Sequence, residues 1–450
     1  MSNSAFLNWT HARHGRISGT DPASLTPRLG EAANLLGLEL AAGRLPFIDM
    51  PYADGMTARL QELEPLLRRF EHMVVLGIGG SALGARALQK AFFPAQDRPA
   101  HTGPWLWIAD NVDADSLEAW LQSLPAEKTV VVVISKSGGT IETIGQYFLI
   151  RDWLRTARGD AWTNHVIAVT DERSGFLREE ADTHGLASMP VPDHLGGRYS
   201  VLSAVGLIPA AFTGMDWQAL VRGAKTVGAP LCSSPDAATL GAHPAWHLAA
   251  WNHALMQAGY SQLIFFSYMP LWAHFGFWFA QLWAESLGKE GKGSMPLPAV
   301  GVTDQHSTQQ MFLDGPRDKA CLFLTCSSLP QGRTFPGDMP PKWDFLRGRR
   351  FGDLLEAEAL GTRMALHKTG TPLVEIGMAQ PSEEQAGRLM ALLEITTLLT
   401  GWLLDINPLD QPAVELGKRL ANARLGAPGY DTETADLGAF LAAQGSRQEF

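Results

Sequence analysis

Apolar residues recur along this chain with two spacings. The early stretches "RLGEAANLLGLELAAG" and "GMTARLQELEPLLRRF" carry the 3.6-residue rhythm of helices. They predict a helical lead-in over residues 1–70. Short, almost wholly apolar runs then begin: "HMVVLGIGG", "PWLWIAD", "KTVVVVIS" and "HVIAVTD". Between them lie the helical stretches "SALGARALQKAF", "DADSLEAWLQSL" and "TIETIGQYFLIRDWLRTA". Strands that are apolar on both faces, separated by helices, predict a parallel sheet covered on both sides.

The alternation pauses after Gly214, where "PLCSSPDAATLGAHPAWHLAAWNHALMQAG" reads as a loop and helix. It resumes with "QLIFFSYM", a helix from about Leu271 to Leu287, a strand at "AVGVTD", a helix near "STQQMFLD", then "ACLFLTCS", "PLVEIGM" and a final helical region. No residue-level repeat is visible. The pattern predicts an α/β chain with two similar domains in tandem, at 71–215 and 261–450, joined by a segment at 216–260. At 450 residues the chain is also longer than one core usually supports.

Composition narrows the function. A formal net charge of -10 argues against nucleic acid or an anionic membrane as partner, so an anionic substrate must meet a local basic site. The three cysteines, Cys232, Cys321 and Cys326, cannot form a disulfide framework and lack zinc-ligand spacing. The start, "MSNSAFLNWTHARHG", lacks the apolar stretch of a signal peptide. The most apolar segment, "LWAHFGFWFAQLWAESLGK", is interrupted by His274, Gln281 and Glu285, so a buried helix is expected rather than a membrane span. A cytoplasmic protein is the expectation.

Two turns invite an anion. In "SKSGGT", residues 135–140, a buried strand discharges into hydroxyls, Lys136 and two glycines just where a helix begins. Open backbone N–H groups and the partial positive charge of a helix N-terminus suit a phosphate monoester. A polar turn with an ordinary helix cap would have the same composition. In "LGIGGSALG", Gly77, Gly79 and Ala82 satisfy G-x-G-x-x-G/A, and Asp110 ends the next strand. That permits a nicotinamide-dependent oxidoreductase, although the interval from Ala82 to Asp110 is longer than usual.

Other segments carry groups able to move protons. Gln281 and Glu285 lie one helical turn apart on an aromatic helix, and a carboxylate on such a surface suits a general base. An ion pair from Glu285 to Lys289, four residues on, is the plainer alternative. His306 follows a strand at the ligand-binding end of the sheet. Arg198 follows two glycines ahead of an apolar helix, where it needs an anionic partner. Gln411 precedes Pro412 at a helix start, and Lys418 lies two turns on, with Glu415 as its plain ion-pair partner. His243 and His247 have metal-ligand spacing but no acidic third ligand, and read as a helix face.

Taken together, "GIGGS", "SKSGGTIET", "GGRYSVLSAVGL", "ESLGK", "DQHS" and "DQPAVELGK" resemble, in order from about Gly77 to Lys418, the glucose-6-phosphate isomerase (phosphoglucose isomerase) family in its shorter bacterial form. The chain departs at Leu287, often polar in that family, and at Ser137 to Gly139, where Thr is common. The resemblance implies two sugar-isomerase-type (SIS) α/β domains. It further implies a phosphate cradle of Ser135, Lys136, Ser137 and Thr140, with Gly79, Ser81, Gln281 and Gln411 around the sugar. Glu285 would move a proton between C2 and C1. His306 and Lys418 would open the ring, Glu142 would orient His306, and Arg198 would face the enediolate. No metal, nucleotide or flavin is implied. A homodimer is, with His306 supplied by the neighbouring subunit. A non-catalytic sugar-phosphate sensor would keep the anion loops but not the proton-moving groups.

Overall fold

The computed structural model describes residues 5–13, 25–445 and 448; positions 1–4 and 14–24 of the lead-in lie outside them. Two five-stranded sheets organise the chain. The first contains β2 (His72–Leu76), β3 (Trp105–Ala109), β4 (Thr129–Ile134), β5 (Val166–Thr170) and β6 (Ala187–Pro190), in the order β3-β2-β4-β5-β6, all parallel. The second contains β1 (Phe6–Asn8), β7 (Gln262–Ser267), β8 (Met295–Val300), β9 (Lys319–Cys326) and β10 (Leu373–Met378), in the order β1-β10-β9-β7-β8. Only β1 runs antiparallel to its neighbour.

Leaving β1 aside, both sheets have the same winding. The first strand in sequence lies between the second and the third, and the chain reverses direction across the sheet at that point. In the first sheet the reversal falls between β2 and β4. Open parallel sheets bind ligands there, beyond the carboxyl ends of the strands. The two glycine-rich turns are the ones that leave β2 and β4.

The all-apolar strands are explained by their alternation. Met73, Val75, Val130, Val132, Ile167 and Val169 join one core, and Val74, Leu76, Val131, Val133, Val166 and Ala168 another, on the opposite face. In the second sheet, Leu263, Phe265, Leu322 and Leu324 point into the larger core, and Ile264, Phe266, Cys321 and Phe323 into a third. The larger core is continuous across both sheets. Its helical part includes Trp217–Ser233, Pro244–Gln257, Ala273–Leu287 and Glu383–Leu403.

The structure also holds elements that the pattern did not reveal. The "AVGVTD" strand is shifted: β8 ends at Val300, and residues 303–306 form a 3-10 turn. Pro296 and Pro298 disguise β8, and they are tolerated because β8 is an edge strand. β6 is also an edge strand, short and ending in a proline. β1 is three residues long, and its pairing partner lies hundreds of residues away. The segment after Gly214 contains a full helix, Trp217–Ser233. A further helix, Phe351–Lys368, precedes β10 and keeps Phe351, Leu360 and Met364 more than half exposed.

Candidate active site

Arg198 stands in a 3-10 turn after two glycines, with only 3% of its side chain exposed. A buried guanidinium is costly unless each donor is satisfied. Here all five N–H groups have acceptors. Nε donates to Ser286 Oγ at 2.7 Å. Nη2 donates to the carbonyls of Pro408 at 2.7 Å and Asp410 at 2.9 Å. Nη1 donates to Gln411 Oε1 at 2.8 Å and, at the longer distance of 3.4 Å, to Glu285 Oε2. Neutral acceptors therefore fix the cation, and the carboxylate is its loosest partner.

Glu285 comes from the Ala273–Leu287 helix, which follows β7 and is buried by Phe275, Trp278, Phe279, Leu282 and Trp283. One helical turn before it, Gln281 donates from Nε2 to Glu285 Oε1 at 3.0 Å. The Glu285 side chain is 28% exposed, so solvent reaches it. The i+4 pairing with Lys289 is not made. Lys289 bonds to Asp410 instead, at 2.9 Å.

The turn after β2 is shaped by backbone packing. Gly79 has a φ of +56°, and a Cβ there would lie 2.8 Å from Gln281 Nε2. A Cβ on Gly80 would lie 2.3 Å from the carbonyl of Gly197, just before Arg198. The glycines thus admit the Arg198 segment and Gln281 to close contact. Ser81 ends this turn, half-buried. Asp110 is paired with Arg86 at 2.7 Å. With the protein's own backbone against this turn and Arg86 on Asp110, neither feature speaks for a dinucleotide.

The turn after β4 has a buried Ser135 whose Oγ lies 3.0 Å from Thr140 Oγ1. Thr140 is the N-cap of the Ile141–Arg158 helix, yet its side chain caps no N–H of that helix. Ser137 Oγ accepts from Gly139 N at 3.4 Å. Lys136 turns back and donates to the Leu195 carbonyl at 2.9 Å, tying this loop to the Arg198 segment. Burial pushes its ammonium down from the ordinary lysine value, against the opposing pull of Asp193 and Asp171. Thr143, which the sequence reading passed over, has a buried hydroxyl with no hydrogen-bond partner among the described residues. Its signal was its position, three residues beyond Thr140 in the first helical turn. Ser286, Lys289 and the carbonyls of Pro408 and Asp410 were also missed. Two of them stand inside "ESLGK", but their partners are distant in sequence.

Three expected residues are not joined to this cluster within the chain. The His306 side chain is exposed and makes no hydrogen bond among the described residues. Glu142 is half-buried in the first turn of its helix and is not bonded to His306. Lys418 lies on an exposed helix, paired with Glu415 at 2.6 Å. Nor do His243 and His247 share a helix face: His243 caps the Pro244–Gln257 helix by accepting from Ala245 N, and reaches the Val227 carbonyl. Among the described residues no group of three or more His, Cys, Asp or Glu side chains is placed to hold a metal, and no helix is long and apolar enough to cross a membrane.

Comparison with known proteins gives a consistent picture. A profile of the phosphoglucose isomerase family matches residues 66–317. The glucose-6-phosphate isomerase of Rubrobacter xylanophilus is 39% identical over 427 residues, which cover 92% of this chain and 96% of that one. A glucose-6-phosphate isomerase of Thermus thermophilus is 33% identical over 429 residues, with the same coverage. Among solved structures, a hypothetical protein from Thermus thermophilus superposes with a TM-score of 0.80 at 31% identity, covering 94% of this chain and 99% of its own. A glucose-6-phosphate isomerase from Chlamydia trachomatis shares the fold, with a TM-score of 0.77 at 21% identity over 99% of this chain and 93% of its own.

Proposed function

The chain belongs to the phosphoglucose isomerase family and interconverts glucose 6-phosphate and fructose 6-phosphate; we propose that it does so with Glu285 as the base that carries a proton between C2 and C1, and Arg198 as the cation facing the enediolate. The observation that carries this reading is the fixed guanidinium beside a loosely held carboxylate. A base must be able to take a proton, and Glu285 is not locked in a tight ion pair. Negative charge grows on oxygen as the carbon-bound proton leaves. A cation already oriented by five hydrogen bonds meets that charge without rearranging, which is where most of the stabilisation arises.

The phosphate is remote from the reacting carbons and acts as a handle. Ser135, Ser137, Thr140 and the uncapped N–H groups of the Ile141–Arg158 helix form its cradle. Lys136 acts here through its charge and its tie to Leu195. Gln281, Gln411, Gly79 and Ser81 border the sugar. Ring opening needs an acid and a base, and His306 and Lys418 take those roles. Glu142 orients the histidine. No step calls for a metal or nucleotide.

A homodimer with His306 shared across the interface accounts for its isolation within one chain. Gln305, beside it, bonds to Glu358 on the Phe351–Lys368 helix at 2.9 Å. That helix exposes Phe351, Leu360 and Met364, and the segment before it exposes Trp343 and Phe345. Apolar surface of this kind marks a protein interface, and a second subunit covering it would meet His306. The three cysteines are free, which fits a cytoplasmic setting.

The test couples fructose 6-phosphate consumption to detection of glucose 6-phosphate, alongside exchange of the C2 hydrogen with solvent. Both should proceed in the unmodified protein. Glu285→Gln keeps shape and hydrogen bonding but not basicity, and should lower both on the order of 10²–10⁴-fold. A variant with near-normal rate removes Glu285 from the role.

A further inference from the structure

Lys289 follows the end of the Ala273–Leu287 helix, four residues past Glu285, and only 11% of its side chain is exposed. An ammonium has three protons to place. One goes to the Ser286 carbonyl at 3.1 Å, an unpaired acceptor in the last helical turn. One goes to the Asn407 carbonyl and one to Asp410 Oδ1, at 2.9 Å. Burial lowers this ammonium from the ordinary lysine value, and the bond to Asp410 opposes that shift.

The same 407–411 turn also holds Arg198. Pro408 and Asp410 give their carbonyls to Nη2, and Gln411 gives its amide oxygen to Nη1. The turn is further knitted by Asn407, which donates to Asp410 Oδ2 at 3.0 Å and accepts from Leu409 N. Lys289 and Arg198 thus both grip one turn, and Lys289 anchors it to the helix that carries Glu285 and Ser286.

We propose that Lys289 is a positioning residue for isomerisation: it clamps the 407–411 turn to the end of the Ala273–Leu287 helix and so fixes the Arg198 guanidinium relative to Glu285. It touches no reacting atom. This inference rests on the reading of Arg198 and Glu285 given above. Without the clamp, three of the five acceptors of Arg198 move with the freed turn. The cation remains, but no longer where charge develops. Substrate binding through the phosphate handle is unaffected.

Lys289→Met keeps most of the aliphatic stem and removes the three bonds. It should lower kcat roughly 10- to 100-fold, as expected for a small misplacement of a catalytic group, with KM for fructose 6-phosphate held within about threefold. A second readout separates positioning from general loosening. A phosphorylated aldonic acid, whose carboxylate stands in for the enediolate, should lose about tenfold or more in affinity, the scale of one charged hydrogen bond. The corresponding phosphorylated alditol, lacking that charge, should bind as before. If Lys289→Met does not fold, Asp410→Asn removes the charge of one acceptor of the clamp and should show the same two splits to a smaller degree. A folded variant with unchanged kcat, or equal loss of both ligands, overturns the proposal. Unmodified protein and Glu285→Gln are assayed in parallel. If the first is inactive or the second fully active, the reading of the site fails; if both behave as expected and the clamp variants do not respond, only the clamp fails.

Discussion

Glu394 lies at the middle of the Glu383–Leu403 helix, fully buried, and neither carboxyl oxygen has a hydrogen-bond partner among the described residues. Burial raises its pKa well above the ordinary glutamate value. The folded protein therefore holds a proton that the unfolded chain releases near pH 4.3. Its contribution to stability is fully present below that pH and is lost as pH rises toward the folded value, at up to about 1.4 kcal/mol per pH unit. Glu394→Gln cannot ionise in either state. Its stability, measured by urea unfolding between pH 5 and 8.5, should fall less with pH than that of the unmodified protein; parallel slopes would show that Glu394 is ionised when folded. Nothing in "LLEITTLLT" announces this. A glutamate in an apolar helix looks the same in sequence whether it snorkels to water or stays neutral in the core. Glu285 was easier to single out because a motif surrounds it, and the plainer alternative weighed against it, an ion pair to Lys289, is not formed. The i+4 rule offered Lys289, and a turn more than a hundred residues away took that lysine instead.

Among elements, the turns after β2 and β4 were legible because their composition is distinctive: glycines where backbones meet, and hydroxyls clustered at a helix N-terminus. Their purposes differ more than composition shows. The Gly77–Ala82 turn matches a dinucleotide fingerprint, but its close approach is made to the protein's own Gly197. Gly80→Ala tests this. The new Cβ would fall 2.3 Å from backbone atoms that cannot swing aside, so the Arg198 turn must shift. Overpacking should cost about 1–3 kcal/mol of stability, and kcat should fall roughly 100-fold. Gly145→Ala is the control. It lies within the Ile141–Arg158 helix with nothing within 4 Å of its added carbon, so thermal unfolding should show a gain of about 0.4–1 kcal/mol and an unchanged rate. If Gly80→Ala is as benign as the control, the turn is not under the constraint assigned to it.

The whole molecule raises the question of assembly, since one chain leaves the His306 side chain exposed and without a hydrogen-bond partner among the described residues. In the proposed shared-site homodimer each site would take Glu285 from one subunit and His306 from the other. Glu285→Gln and His306→Ala chains should then be nearly inactive alone but complement each other. In a mixed dimer one site receives both lesions and the other neither. Random pairing should restore roughly a quarter of normal activity, and mixed dimers purified through two different tags about half. Folded but inactive mixed dimers would place His306 in its own subunit's site.

Periodicity and glycine-rich turns determined a great deal unaided. They gave the α/β class, most strands and their following helices, and the two glycine-rich turns at strand ends, because burial on both faces leaves a strand no polar positions and close backbone approach needs glycine. They did not give β1, β6 or the true limits of β8, since edge strands may be short or rich in proline and owe their form to a neighbour's backbone. Nor did they give the helix Phe351–Lys368, whose apolar residues are largely exposed and whose burial pattern is weak. The order of the strands, which sets β2 beside β4 and β7 beside β9, follows from chain winding that no local pattern encodes. The setting of Arg198 was likewise decided only by the fold. Its five acceptors come from Glu285, Ser286, Pro408, Asp410 and Gln411, and a hydrogen bond depends on distance in space, to which separation along the chain gives no clue.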